Sequence, residues 1–217
     1  MDINTVGIVG TVVEAPVRFK DIFGQNNVYA MWLDSKRFSG TEDRILVLFQ
    51  EDKIEDKRFK ERLFFGCYPP SVKVEVTGSL QTYKTKAGRT QVFVWGLYIA
   101  EVPGYTEDMN AAYLKGEVAK EPKYRDTPKG RRLTEVILKV PSFFNEGYYS
   151  YIPCITWGPA ADRAVWLKKG DMVYMEGRTQ KREYAKPMQN GYKMMATWEV
   201  SVSKMVEVAA EQENGDN

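Results

Sequence analysis

Apolar residues recur in short alternating windows along most of this 217-residue chain, with turn residues between the windows. Ile45-Leu-Val-Leu-Phe49 and Tyr151-Ile-Pro-Cys-Ile-Thr-Trp157 are two of them. A two-residue period puts successive side chains on opposite faces of a sheet, so the pattern predicts strands. A long basic strand is expected from Met172 to Tyr184, and alternating strands from Gln91 to Val102 and from Tyr192 to Val208. Two windows read as helix instead, 52–65 and 160–169.

The strands fall into two copies of one unit. Gly10-Thr-Val-Val-Glu-Ala-Pro16 recurs as Gly116-Glu-Val-Ala-Lys-Glu-Pro122 with the same Gly-to-Pro spacing. Val74-Glu-Val-Thr-Gly78 recurs as Val173-Tyr-Met-Glu-Gly177, and a turn follows each, 86–89 and 188–191. Two copies of ~100 residues fit two small domains. About five strands with one interposed helix describe a Greek-key OB-fold barrel. The expected architecture is therefore all-β with short helices: two tandem five-stranded OB-fold barrels. The first spans 1–102 and the second 112–208, with a Pro/Gly-containing acidic linker at 103–111 and a disordered acidic tail at 209–217. Gly10, Gly78, Gly116 and Gly177 read as barrel bends rather than phosphate loops. No GxGxxG or Walker pattern is present.

Composition narrows the function classes. Charged residues make up 28% of the chain, and no apolar run approaches the ~20 residues that span a bilayer. The start, Met1-Asp-Ile-Asn-Thr-Val6, has neither the basic nor the apolar region of a secretory signal. Cys67 and Cys154 read as buried free thiols, and a cytoplasmic protein is expected. There is no histidine, so the commonest general base and metal ligand is missing. No nucleophile–base or metal constellation stands out, so neither an enzyme nor a cofactor is expected. The net charge is only +2, but it is unevenly spread. Residues 112–208 hold 17 Lys and Arg against 11 Asp and Glu, a net +6, whereas residues 1–102 hold 14 against 13. Nucleic-acid binding needs such a local cationic track rather than a high total.

The second copy carries Gly116-x-Val118, the strand end Trp157-Gly158, Trp166-Leu-Lys-Lys-Gly170, Val173-Tyr-Met-Glu-Gly177-Arg and the basic-aromatic Lys181-Arg-Glu-Tyr184. In order and spacing it resembles the bacterial single-stranded DNA-binding proteins, chromosomal or phage-borne. The first copy keeps the Gly10 and Gly78 landmarks but lacks the Trp-Gly and Leu-Lys-Lys-Gly elements, and reads as a diverged OB domain. The resemblance implies sequence-independent binding and protection of single-stranded DNA in replication, recombination or repair. It also implies four OB domains per assembly, hence a homodimer of this two-domain chain. The family's tail ends in an apolar tip that recruits replication and repair proteins; this chain ends Gly-Asp-Asn217 instead.

Strand parity groups Arg178, Gln180, Arg182 and Tyr184 on one face, and Tyr151, Ile155 and Trp157 on another; by the resemblance the first of these faces meets the strand, which makes Arg178 and Arg182 candidate contacts. By the resemblance, Tyr151, Trp157 and Tyr184 match stacking positions, and Phe144, with Phe143, matches a further one. Stacking is worth ~1–3 kcal/mol per base and tolerates any sequence. Lys129, Arg131, Arg132 and Lys193 are candidate phosphate contacts. In the first copy Phe38 is aligned with the Phe143–Phe144 pair, Phe49 with Trp157, and Tyr83 with the parity of Tyr184. Arg37, Lys84, Lys86 and Arg89 are its candidate phosphate contacts. Trp32, Trp95 and Trp198 read as core. Two other readings stay open: an RNA-binding OB protein, and a replication-associated interaction module that docks a partner through the charged region Glu51–Arg62.

Overall fold

The first half of the chain contributes β1 (Asn4–Val12), the two-residue β2 (Val17–Arg18), β3 (Val28–Lys36), β4 (Glu42–Gln50), helix α1 (Lys57–Phe65), β5 (Lys73–Lys84) and β6 (Thr90–Val102). The second half repeats the series as β7 (Met109–Val118), β8 (Lys123–Asp126), β9 (Arg132–Pro141), β10 (Tyr149–Trp157), helix α2 (Pro159–Ala164), β11 (Met172–Met188) and β12 (Gly191–Glu207). This computed structural model describes residues 3–65, 72–127, 130–144, 146–188 and 191–208. The expectations for Cys67, Lys129 and the tail 209–217 concern residues outside that set.

In the first copy β1 pairs with β3, β3 with β4, β4 in parallel with β6, β6 with β5, and β5 again with β1. In the second, β7, β9, β10, β12 and β11 close the same circuit, again through one parallel pair. Five strands closed in this order, with a helix between the third and fourth, are an OB-fold, so the expected fold class is borne out. The bends fall on the repeated glycines. The β5–β6 register shifts between Thr77 and Gly78, and the β11–β12 register between Glu176 and Gly177. A Cβ on Gly78 would lie 2.2 Å from the Trp95 carbonyl oxygen, and one on Gly177 would lie 2.3 Å from that of Ser201. Only glycine lets the strands approach this closely.

The barrels are stitched edge to edge. β1 runs antiparallel to β7, with Asn4 opposite Leu114, Val6 opposite Ala112 and Val9 opposite Met109. Residues 109–111 were expected in the linker; they belong to β7, because Met109, Asn110 and Ala111 find ladder partners in Val9, Ile8 and Gly7. Just past each bend, an asparagine from the seam continues the ladder with its side chain. Asn4 donates to the Leu80 carbonyl and accepts from the Leu80 amide, both at 2.8 Å. Asn110 does the same at Thr179, at 2.7 and 3.0 Å. These paired devices mark a pseudo-twofold axis through the Val6–Ala112 pair.

One apolar cluster runs through both barrels, from Val6 and Ile8 across the seam to Leu114, Val173 and Met175. Helix α1 closes the first barrel with Phe59 and Leu63, and Asp56 accepts a hydrogen bond from the Phe59 amide at 3.0 Å at its start. Helix α2 is shorter than the expected 160–169. It enters through Pro159 and buries Ala161 and Ala164. Gly158 makes the sharp turn from β10 into α2 at φ 52°, a conformation that favours glycine. Cys154 is buried and free. Burial pushes its thiol pKa up, which makes it a structural rather than a reactive cysteine.

Candidate nucleic-acid interface

The two barrels present different outer faces over β3–β4 and β9–β10. On the first copy that face is apolar and covered. Val28, Ala30, Leu46, Leu48, Phe93 and Trp95 form a second cluster with Ile22, and Phe19, Trp32, Tyr83 and Phe144 pack against it. Phe144 comes from the second copy. It stacks on Phe23 at 4.8 Å and meets the edge of Trp95 at 4.8 Å. Among the sequence candidates, Phe144 is therefore spent on closing the first copy's face, while Phe143 beside it stays exposed.

The equivalent face of the second copy is more polar and open at its rim, with Ile155, Gln180 and Glu199 buried within it. Tyr151 and Tyr184 are exposed, at 48% and 38%, and Trp157 is half-buried. Gln180, Arg182 and Glu199 form a network there. Arg182 donates to both Glu199 carboxylate oxygens, at 2.7 and 2.9 Å, and Gln180 donates to one of them at 3.0 Å. The Glu199 hydrogen bond holds the Arg182 guanidinium pKa above its usual value. This fixes Arg182 with its Cζ 5.3 Å from the Tyr184 ring centroid, a cation–π contact that orients the ring. Arg182 is thus held between Glu199 and the Tyr184 ring rather than left as a loose cation.

Phe49 is corrected by the parallel register. Val47 faces Val94, and Cys154 faces Val200, so Val47 and Cys154 occupy equivalent places. Trp157 is then equivalent to Gln50, and Phe49 to Thr156. A shift of one residue reverses the face. Phe49 is fully buried inside the first barrel, where no base reaches it. Trp95 is buried as expected, whereas Trp32 and Trp198 are half-buried against each other, 6.0 Å apart across the two copies.

The candidate cations divide into engaged and open ones. Arg37 donates to the buried Asp43 at 2.7 Å and to Gln180 at 3.3 Å. Arg178 also faces Asp43, at 3.5 Å. Burial lowers the Arg178 pKa, and the nearby Arg37 charge lowers it further. These two arginines hold the copies together. Arg132 pairs with Asp162 at 2.7 Å. Lys84, Lys86, Arg89, Arg131 and Lys193 are exposed, and Phe38 is fully exposed at the β3–β4 turn.

The structure adds residues that the sequence reading passed over. Tyr149 shares the parity of Tyr151, which was the available signal, and is 46% exposed. Lys139 lies opposite Tyr151 in the ladder and places Nζ 4.2 Å from the Tyr149 centroid. Its hydrogen bond with Glu117 raises its pKa, so it stays charged. Lys20 sits with Nζ 5.3 Å from the Tyr83 ring.

Comparison with known proteins bears on the same half of the chain. The single-strand binding protein family matches residues 109–207. "Single-stranded DNA-binding protein 2" of Listeria innocua is 37% identical over 81 residues, 35% of this chain and 51% of that protein. "Single-stranded DNA-binding protein A" of Bacillus subtilis is 33% identical over 94 residues, 41% of this chain and 54% of that protein. The chain spans about half the length of these curated relatives. The wild-type single-stranded DNA binding protein from Thermus aquaticus superposes with a TM-score of 0.69 at 19% identity, covering 96% of this chain and 94% of its own. At that identity the likeness shows a shared fold, here over both copies.

Proposed function

We propose that this chain, whose residues 109–207 match the single-strand binding protein family, coats single-stranded DNA without sequence preference and without catalysis. The observation that carries the reading is the open face of the second copy, where Tyr151, Trp157 and the Arg182-oriented Tyr184 stand among cations. Aromatic rings accept any base face, and cations neutralise the backbone, which is what sequence-tolerant strand binding requires. The chemistry serves replication, recombination or repair in the cytoplasm alike. Titration with oligo(dT), followed by tyrosine and tryptophan fluorescence, tests it. Quenching by single strands, weakening as salt rises and absent with duplex, is the expected result. Equal affinity for an oligo(rU) competitor would favour the RNA reading instead.

We also propose a homodimer, giving four OB barrels. The seam makes β6, β5, β1, β7, β11 and β12 one continuous surface. Register places Tyr98, Tyr113, Tyr174 and Val206 on its outer face, and Tyr98, Tyr113 and Val206 are more than 40% exposed. A second copy of the chain would cover them. Light scattering is expected to give twice the chain mass, and a monomer for Tyr98→Lys/Tyr113→Lys. A wild-type monomer at micromolar concentration ends this proposal.

A further inference from the structure

We propose that a bound strand leaves the second copy's face through a groove shared by both copies, where Lys20 and Lys84 of the first copy take its phosphates. This rests on the single-strand reading above. The groove, about 520 Å³, is lined by Lys20, Phe23, Tyr83 and Lys84 from the first copy and by Tyr149 and Tyr151 from the second.

Its construction follows from the long β5. Beyond the bend at Gly78 the strand reaches across the pseudo-twofold and docks on the start of β10. Ser150 donates to Gln81 at 2.9 Å, the Thr82 amide donates to Ser150 at 3.2 Å, and the Tyr151 amide donates to Thr82 at 3.4 Å. Residues 83 and 84 therefore emerge beside Tyr149 and Tyr151. Two ammonium groups approach rings here, Lys20 at Tyr83 and Lys139 at Tyr149. Lys84 is exposed and touches only the Thr90 hydroxyl, at 2.7 Å, among described partners. Asp21 also lines the groove, and Arg18 offsets its charge at 3.3 Å.

The opposite side of the pseudo-twofold lacks this combination. By the same registers Glu42 and Arg44 stand where Tyr149 and Tyr151 do, and Arg182 and Glu183 where Tyr83 and Lys84 do. Arg44 is closed onto Asp34 at 2.7 and 2.8 Å, and Arg182 onto Glu199. Among the described residues, the side with Tyr149 and Tyr151 thus offers an aromatic and cationic exit that the pairs Glu42–Arg44 and Arg182–Glu183 do not reproduce. The first copy contributes to it through a hairpin lent to its neighbour, its own sheet face being covered.

The test compares wild type with Lys20→Ala/Lys84→Ala, both exposed positions, using oligo(dT) of about 8 and about 35 nucleotides over a range of salt. The shorter length fits within one barrel. With the longer strand, the double variant is expected to show a log–log salt slope shallower by about 1.4, roughly 0.7 for each lost phosphate contact. With the shorter strand its slope should match wild type. An unchanged slope on the long strand removes the groove and leaves the single-strand reading standing. A slope that drops equally on the short strand places the lysines on the second copy's own face and also removes the crossing. Failure of wild type to bind either length removes both.

Discussion

Alanine at Tyr151 or at Tyr184 is expected to weaken oligo(dT) binding by roughly 1–3 kcal/mol each, about fivefold to more than a hundredfold, with the melting temperature nearly unchanged. Both rings are substantially exposed, so their removal leaves no cavity. Tyr184 differs from Tyr151 in being held by Arg182, which is itself held by Glu199. Glu199→Gln should therefore reproduce part of the Tyr184→Ala loss, although Glu199 is buried and touches no strand. Phe49→Ala should do the reverse. It empties a fully buried site, costing about 3–5 kcal/mol of stability, and any binding loss should follow the folded fraction. Binding isotherms and thermal melts on the same four variants separate the effects. If Phe49→Ala at low temperature lost as much affinity as Tyr151→Ala, the assignment of faces would be wrong.

Asp43→Ala is expected to destabilise the fold by about 3–5 kcal/mol, the cost of breaking a buried ion pair. The Asp43 side chain is 1% exposed and serves two arginines, Arg37 from its own copy and Arg178 from the other. Without it, two cations face each other in a poorly solvated place, and Arg178 already has its pKa lowered by burial and by Arg37. The pseudo-equivalent of Asp43 is Ser150, which bridges Gln81 and Thr82 with neutral hydrogen bonds. Ser150→Ala should cost only about 1 kcal/mol or somewhat more, the value of a buried hydrogen bond lost. Urea midpoints measure both. Equal small shifts would show that Asp43 does not anchor the copies.

The repeat and the barrel were legible in the sequence because they rest on local necessities. Gly78 and Gly177 are required by carbonyls 2.2 and 2.3 Å from the place a Cβ would take, so the same residue recurs at the same bend. Strand parity is equally local, and it grouped Arg178, Gln180, Arg182 and Tyr184 on one face, as the unbroken register beyond Gly177 has them. What stayed hidden depends on long-range contacts. The pairing of Arg182 with Glu199 spans 17 residues, and the covering of Trp95 by Phe144 joins different copies. Neither leaves a periodic trace. Phe49 was misplaced because the first copy's β4 has no Trp-Gly landmark, so the register was open by one residue until the β4–β6 pairing fixed it. Tyr149 was visible by parity but was overshadowed by its neighbour Tyr151.

The seam between β1 and β7 has a consequence for behaviour at low concentration. Residues 103–108 tether the two barrels, so their pairing is a unimolecular event with a high effective concentration set by a short connection. Sufficient dilution would separate two independent barrels joined by the same six-residue ladder, but it leaves this tethered pair together. A fused pair is also free to be lopsided, since a change at position 44 is not mirrored at 151. The molecule accordingly has a front and a back, and a nucleic-acid strand lying on it in one chemical direction is not equivalent to the same strand reversed.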